Sequence, residues 1–133
     1  MRLLLDTHVL LWSLGDPARL DAQTRAVLED NANQVLFSAA SIWEIAIKAG
    51  LGRADFGVRP EDITQAAREA GFQELPVHAE AAARVADLPM LHRDPFDRLL
   101  VAQALTEPAR LITADPVLLS YSELVTLISP SLR

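Results

Sequence analysis

The chain contains no cysteine. That excludes disulfides, thiolate zinc sites and cysteine nucleophiles, and it is compatible with a cytoplasmic protein. No segment approaches the roughly 20 apolar residues that a membrane span needs. The opening MRLLLDTHVLLW is interrupted by Asp6 and His8 and no small-residue cleavage site follows, so it reads as part of a fold rather than as a signal peptide. Positive charge is not in excess. The formal net charge is -6, which argues against non-specific coating of nucleic acid but not against an enzyme that holds nucleic acid through metal ions. A glycine-rich phosphate loop is missing, so a P-loop or dinucleotide fold is unsupported. There is no internal repeat, low-complexity tract or linker. With 133 residues, half of them hydrophobic, the expectation is one globular domain over residues 1–133.

The elements alternate. Arg2–Leu5, Val35–Phe37, Phe72–Leu75, Arg110–Thr113 and Leu124–Ile128 read as short apolar strands. Thr7–Leu14, Asp21–Ala32, Ala39–Ala49, Pro60–Ala70, His78–Asp87 and Pro95–Thr106 read as helices, with a helical turn over Pro116–Tyr121. Leu51–Arg59 and Pro89–Asp94 are loops, and a tail runs out through Pro130. This order predicts an α/β domain: a three-layer α/β/α sandwich around a mainly parallel sheet of about five strands.

In open parallel sheets ligands bind outside the carboxyl ends of the strands. Asp6 follows the first strand directly and Asp115 follows the strand in RLITAD, so both belong to one rim. Glu44 lies in SAASIWEIAIKAG, a helix that reads as apolar nearly all round and therefore as largely buried, where an unpaired carboxylate is costly. Asp94 and Asp97 sit three apart at a helix start in LHRDPFDRLLVAQA and can face one way. Taken singly, Asp6, Asp94 and Asp115 are equally good helix N-caps, and Asp97 is a good first-turn acid. Their conjunction says more. Several carboxylates converging at one rim must protonate or bind a cation, and oxygen ligands suit a hard divalent ion such as Mg²⁺ or Mn²⁺. That chemistry serves in-line displacement at a phosphodiester without a protein nucleophile.

Hydroxyls accompany the acids. Thr7, Ser38, Ser41 and Thr113 are candidates to orient carboxylates or waters, with ordinary capping as the competing role. Thr113, two residues before Asp115, is the favoured one. His8, His78 and His92 show no metal-ligand spacing, and His8 is expected at the surface. Trp12 and Trp43 are expected to pack in the core or at an interface.

The ordered set LLLDTHVLLW, SAASIWEIAIK, HRDPFDRLLVAQA and LITAD closely resembles the PIN-domain family, and within it the VapC-type ribonuclease toxins of bacterial toxin–antitoxin pairs. The resemblance runs from Arg2 to about Leu118. It implies an Mg²⁺- or Mn²⁺-dependent endoribonuclease working through a metal-activated water, with tRNA or rRNA as candidate targets and 5′-phosphate and 3′-hydroxyl products. The family's four acids fall on Asp6, Glu44, Asp97 and Asp115. Thr113 is the hydroxyl before the last of these. Asp94 matches the frequent acid of the HRDPFD variant and stands in a second tier with Thr7, Ser41 and Thr113. The resemblance further implies a homodimer and a small antitoxin partner that wraps the toxin.

Two other readings compete. A PIN-like RNA- or protein-binding module without catalysis would share the fold and the partner. A phospho-acceptor receiver domain would also have an acidic pocket on a five-stranded sheet. It needs an aspartate after the third strand and a lysine after the fifth, whereas FQELPVH offers no aspartate and the single lysine is Lys48.

Overall fold

In the computed structural model, residues 1–53 and 56–129 are described. Five strands, β1 (Arg2–Leu5), β2 (Gln34–Ser38), β3 (Gln73–Leu75), β4 (Arg110–Thr113) and β5 (Val125–Leu127), form one sheet in the order β3-β2-β1-β4-β5. Every pairing is parallel. The connections carry α1 (Thr7–Gly15), α2 (Ala22–Glu29), α3 (Ala39–Gly50), α4 (Pro60–Glu69), α5 (Ala79–Arg84) and α6 (Pro95–Thr106), with 3₁₀ turns at Pro17–Arg19, Val85–Asp87 and Pro116–Tyr121.

The central strand explains the layering. Leu3, Leu4 and Leu5 are all fully buried, as a strand covered on both faces requires. Successive side chains alternate. Leu3 and Leu5 join Val35, Phe37 and Ile112 in a core closed by Val9 and Leu10 of α1, Ile45 of α3 and Ile63 of α4. Leu4 joins Leu36 and Leu111 in a second core, closed by Leu100, Val101 and Ala104 of α6 and by Leu118. The expected three-layer sandwich is therefore observed.

All strands being parallel, their carboxyl ends share one edge. The chain leaves β1 toward β2 on one side, and β4 lies on the other, so the order reverses between β1 and β4. A crevice opens at such a switch point.

Boundaries shift where tertiary pairing competes with local pattern. The helix expected over Asp21–Ala32 is shorter: Asp21 Oδ1 caps it by accepting from Thr24 N at 2.6 Å, and it ends at Glu29. The turn that follows lets Gln34 N reach Met1 O at 2.8 Å and start β2 beside β1. The helix expected over His78–Asp87 divides into α5 and a 3₁₀ turn. The larger correction concerns α3, expected to be largely buried. Glu44 and Ile45 are buried, but Trp43 is 60% exposed and Ile47 is exposed as well, because only one side of α3 faces the sheet. Positions 54 and 55 of the expected 51–59 loop, and the tail from Pro130, lie outside the described residues.

Candidate active site

Asp6 stands at the reversal point. Its backbone N donates to Ile112 O at 3.0 Å, continuing the β1–β4 ladder by one step. Its Oδ1 accepts from Val9 N at 2.9 Å, capping α1, and its Oδ2 accepts the Thr113 hydroxyl proton. Thr113, fully buried at the end of β4, in turn accepts from Asp115 N at 3.0 Å. Asp115 Oδ1 caps the 3₁₀ turn through Val117 N at 3.0 Å, while its Oδ2 lies 2.8 Å from His92 Nε2. Asp94 repeats the pattern: Oδ1 caps α6 at Phe96 N (2.8 Å) and Asp97 N (3.3 Å), and Oδ2 looks across to Lys48 Nζ at 3.7 Å. In Asp6, Asp94 and Asp115 alike, one oxygen caps the start of a helix or 3₁₀ turn, and the other takes a separate partner.

Glu44 is buried from α3 into the same cleft. Thr7 Oγ1 donates to its Oε1 at 2.6 Å, with Ser41 Oγ 3.0 Å from Thr7 Oγ1, and Lys48 one turn on contacts Oε2. Asp97, on the first turn of α6, is 20% exposed and has its Oδ2 3.3 Å from His92 Nε2. A cleft of about 450 Å³ brings Asp6, Glu44, Asp94, Asp97 and Asp115 together. Of the four hydroxyls singled out from sequence, Thr7 and Thr113 hold these acids, and Ser41 meets Thr7. Ser38 does neither. It caps α3 at Ala40 N (3.0 Å) and meets Gln103 Oε1 at 2.6 Å behind the site.

The charges are unbalanced. Burial first, and then the charges of Asp94, Asp6 and Glu44, push the Asp97 carboxyl up to about 7, with His92 opposing them. Burial also raises Asp6, against the hydrogen bonds from Thr113 and Val9. Two carboxyls whose proton affinity burial raises, lying among three further acids in one cleft, make an oxygen-rich donor set that fits a hard divalent ion.

His92 is the residue that sequence spacing failed to find. Its Nε2 lies between Asp97 and Asp115, with ligand-type atoms of all three within 4.8 Å of one another. Its Nδ1 accepts from Asp94 N at 3.0 Å, which leaves the ring proton on Nε2. In this arrangement His92 is a donor to the two carboxylates. The sequence signal was the HRD turn itself, which folds His92 back onto the cap of α6. His8, expected at the surface, is half-buried against Trp12 and Phe56 (ring centroids 5.9 and 5.3 Å) on the wall of the cleft. Trp43 makes an edge contact with Phe96 at 5.3 Å.

The segment carrying His92 is anchored from behind. Tyr121 Oη accepts from Leu91 N (3.2 Å), His92 N (2.9 Å) and Arg98 Nη1 (3.2 Å). Buried Arg98 also donates to Pro89 O at 2.9 Å and Val85 O at 3.1 Å. Tyr121→Phe leaves His92 N without its acceptor, while Leu91 N and Arg98 Nη1 keep Pro89 O, and should cost about 1–2 kcal/mol, read as a lowered urea midpoint at unchanged slope. A midpoint equal to wild type would show that the phenol oxygen does not hold the segment.

A family model described as the PIN domain matches residues 3–124. Ribonuclease VapC22 of Mycobacterium tuberculosis is 30% identical over 122 residues, covering 89% of this chain and 90% of that protein. Among solved structures, VapBC2 from Rickettsia felis bound to a DNA fragment from its promoter aligns with a TM-score of 0.69 at 14% identity, over 98% of this chain and 100% of that one. A domain of a functionally unknown protein from Methanocaldococcus jannaschii aligns with a TM-score of 0.59 at 14% identity, over 99% and 94%.

Proposed function

The chain belongs to the PIN-domain family, and from that premise we propose that it is an Mg²⁺- or Mn²⁺-dependent endoribonuclease, the toxin of a VapBC-type toxin–antitoxin pair, built as one PIN-like domain over residues 1–133. The observation that carries this reading is the convergence of Asp6, Asp97 and Asp115 at the β1–β4 crevice, with the Asp97 carboxyl raised to about 7. The similarity to Ribonuclease VapC22 supports the nuclease part, and the fold shared with a VapBC assembly is in keeping with an antitoxin partner.

Asp6, Asp97 and Asp115 would hold the ion, with Glu44 as the fourth acid of the site and Asp94 beside it. A bound hard divalent cation supplies Lewis acidity that makes a water nucleophilic at neutral pH and offsets charge on a phosphodiester. The chain's own contribution is order. Thr113 fixes Asp6 relative to Asp115, Thr7 fixes Glu44, and His92 keeps the Asp97 and Asp115 carboxylates turned toward each other. The backbone caps at Val9, Phe96 and Val117 stop three of the carboxylates from rotating. Such preorganisation reduces the cost of gathering charge at the moment of reaction.

Trp43, Ile47, Leu51, Met90 and Leu91 leave apolar surface exposed near the cleft, available to a second copy of the chain or to the antitoxin. Among the described residues no helix is long and apolar enough to cross a membrane; the proposed compartment is the cytoplasm. The test is cleavage of total cellular RNA by antitoxin-free protein with Mg²⁺ or Mn²⁺, with new ends mapped by sequencing. New 5′-phosphate ends are expected with metal and not with chelator, and their positions name the target. Folded protein that yields no new ends with either ion would favour a non-catalytic binding module.

A further inference from the structure

The chain has eleven arginines and one lysine, and that lysine is in the cleft. Lys48 is not a solvated surface side chain: it is 16% exposed. Its Nζ contacts Glu44 Oε2 and lies 3.7 Å from Asp94 Oδ2. Two rings flank it, with Nζ 4.9 Å from the Phe56 centroid and 5.8 Å from that of Phe96. Two carboxylates and two aromatic faces are what a desolvated ammonium needs. A compact point charge suits this position better than a planar guanidinium, whose fork requires paired acceptors in one plane.

The placement divides the cleft. On one side Asp97 and Asp115 share His92 Nε2 as their hydrogen-bond donor, and Asp6 is held by Thr113 and Val9 N. On the other, Glu44 has both oxygens engaged, by Thr7 and Lys48, and Asp94 faces the same ammonium. A second divalent ion, about 3.5–4 Å from the first in two-metal sites, would have to draw on the side where a fixed positive charge already sits. We propose that Lys48 is a built-in counter-cation that occupies the Glu44–Asp94 side of the cleft and restricts the site to a single divalent ion. The proposal rests on the metal-dependent reading above and sets the ion stoichiometry of that site.

The experiment is Mn²⁺ titration of chelator-treated full-length protein at alkaline pH. Calorimetry gives the stoichiometry, and paramagnetic resonance reports spin coupling between neighbouring ions. Wild type and Lys48→Arg are expected to take up one Mn²⁺ per chain. Lys48→Met is expected to take up two, with the broadened, coupled signal of a close pair. Lys48→Gln serves the same purpose should the methionine variant fail to fold. Two ions in wild type, or one in a folded variant lacking the charge, overturns the role given to Lys48 and leaves the metal-dependent reading standing. No Mn²⁺ uptake by folded wild type overturns both.

Discussion

Asp6→Asn should yield a folded protein whose RNA cleavage has fallen by about 10²–10³-fold, the scale seen when a preorganised electrostatic element of an active site is lost. The fold is expected to survive because the amide oxygen still caps α1 at Val9 N, asparagine being as good an N-cap as aspartate. Thr113, whose hydroxyl now donates to Asp6, turns to accept from the new amide. What is lost is charge. Burial already raises the proton affinity of this carboxyl, so a neutral amide in its place leaves the metal-free protein as stable as wild type or more so. Loss of cleavage together with maintained melting temperature is the signature of a residue kept for chemistry. The rate of appearance of new 5′ ends and a thermal melt measure the two halves. A folded Asp6→Asn protein cleaving at the wild-type rate would remove Asp6 from the site.

The second large effect is on stability. In the folded chain the Asp97 carboxyl is raised from 3.8 to about 7, so between those values the folded state holds more protons than the unfolded one. The stability of metal-free protein therefore falls as pH rises through this interval and levels off above it. Full development of the shift is worth on the order of a few kcal/mol, and Asp6, raised in the same direction, adds to it. Thermal melts of chelated protein across the interval should show the decline, and Asp97→Asn should flatten most of it. Above the interval a divalent cation should restore stability, by about 2.7 kcal/mol at a hundredfold excess over its dissociation constant. A pH-independent midpoint in chelator would show that Asp97 is not crowded by its neighbours.

Much of this was legible in the chain, for identifiable reasons. β1 could be read because a short apolar run broken off by Asp6 has the length of a buried strand and is too short for a helix. Asp6 and Asp115 could be placed at one rim because parallel strands put all their carboxyl ends together. Asp94, with Pro95 behind it, marked the start of α6 to the residue. What could not be read depended on separations across the chain. His92 meets Asp115 twenty-three positions away, and Arg98 and Tyr121 act behind the cleft through a loop whose path no local pattern dictates. The misjudged exposure of α3 had another cause. An apolar composition marks burial by something, and on the side of Trp43 the sheet is not that thing.

The β1–β4 pairing carries a further consequence. Leu5 pairs with Ile112, and one step beyond, the Thr113 hydroxyl finds Asp6. Because neighbouring strand residues point to opposite faces, a slip of a single residue would send that hydroxyl into the greasy interior and present Ile112 or Ala114 to the carboxylate instead. A slipped chain would still collapse, but it would be blank as an enzyme. The acids of the candidate site come from positions 6, 44, 97 and 115, nearly the whole length of the polypeptide. The cleft therefore exists only once the last strands have docked in the right frame, and on the function proposed above an incompletely folded copy would be inert.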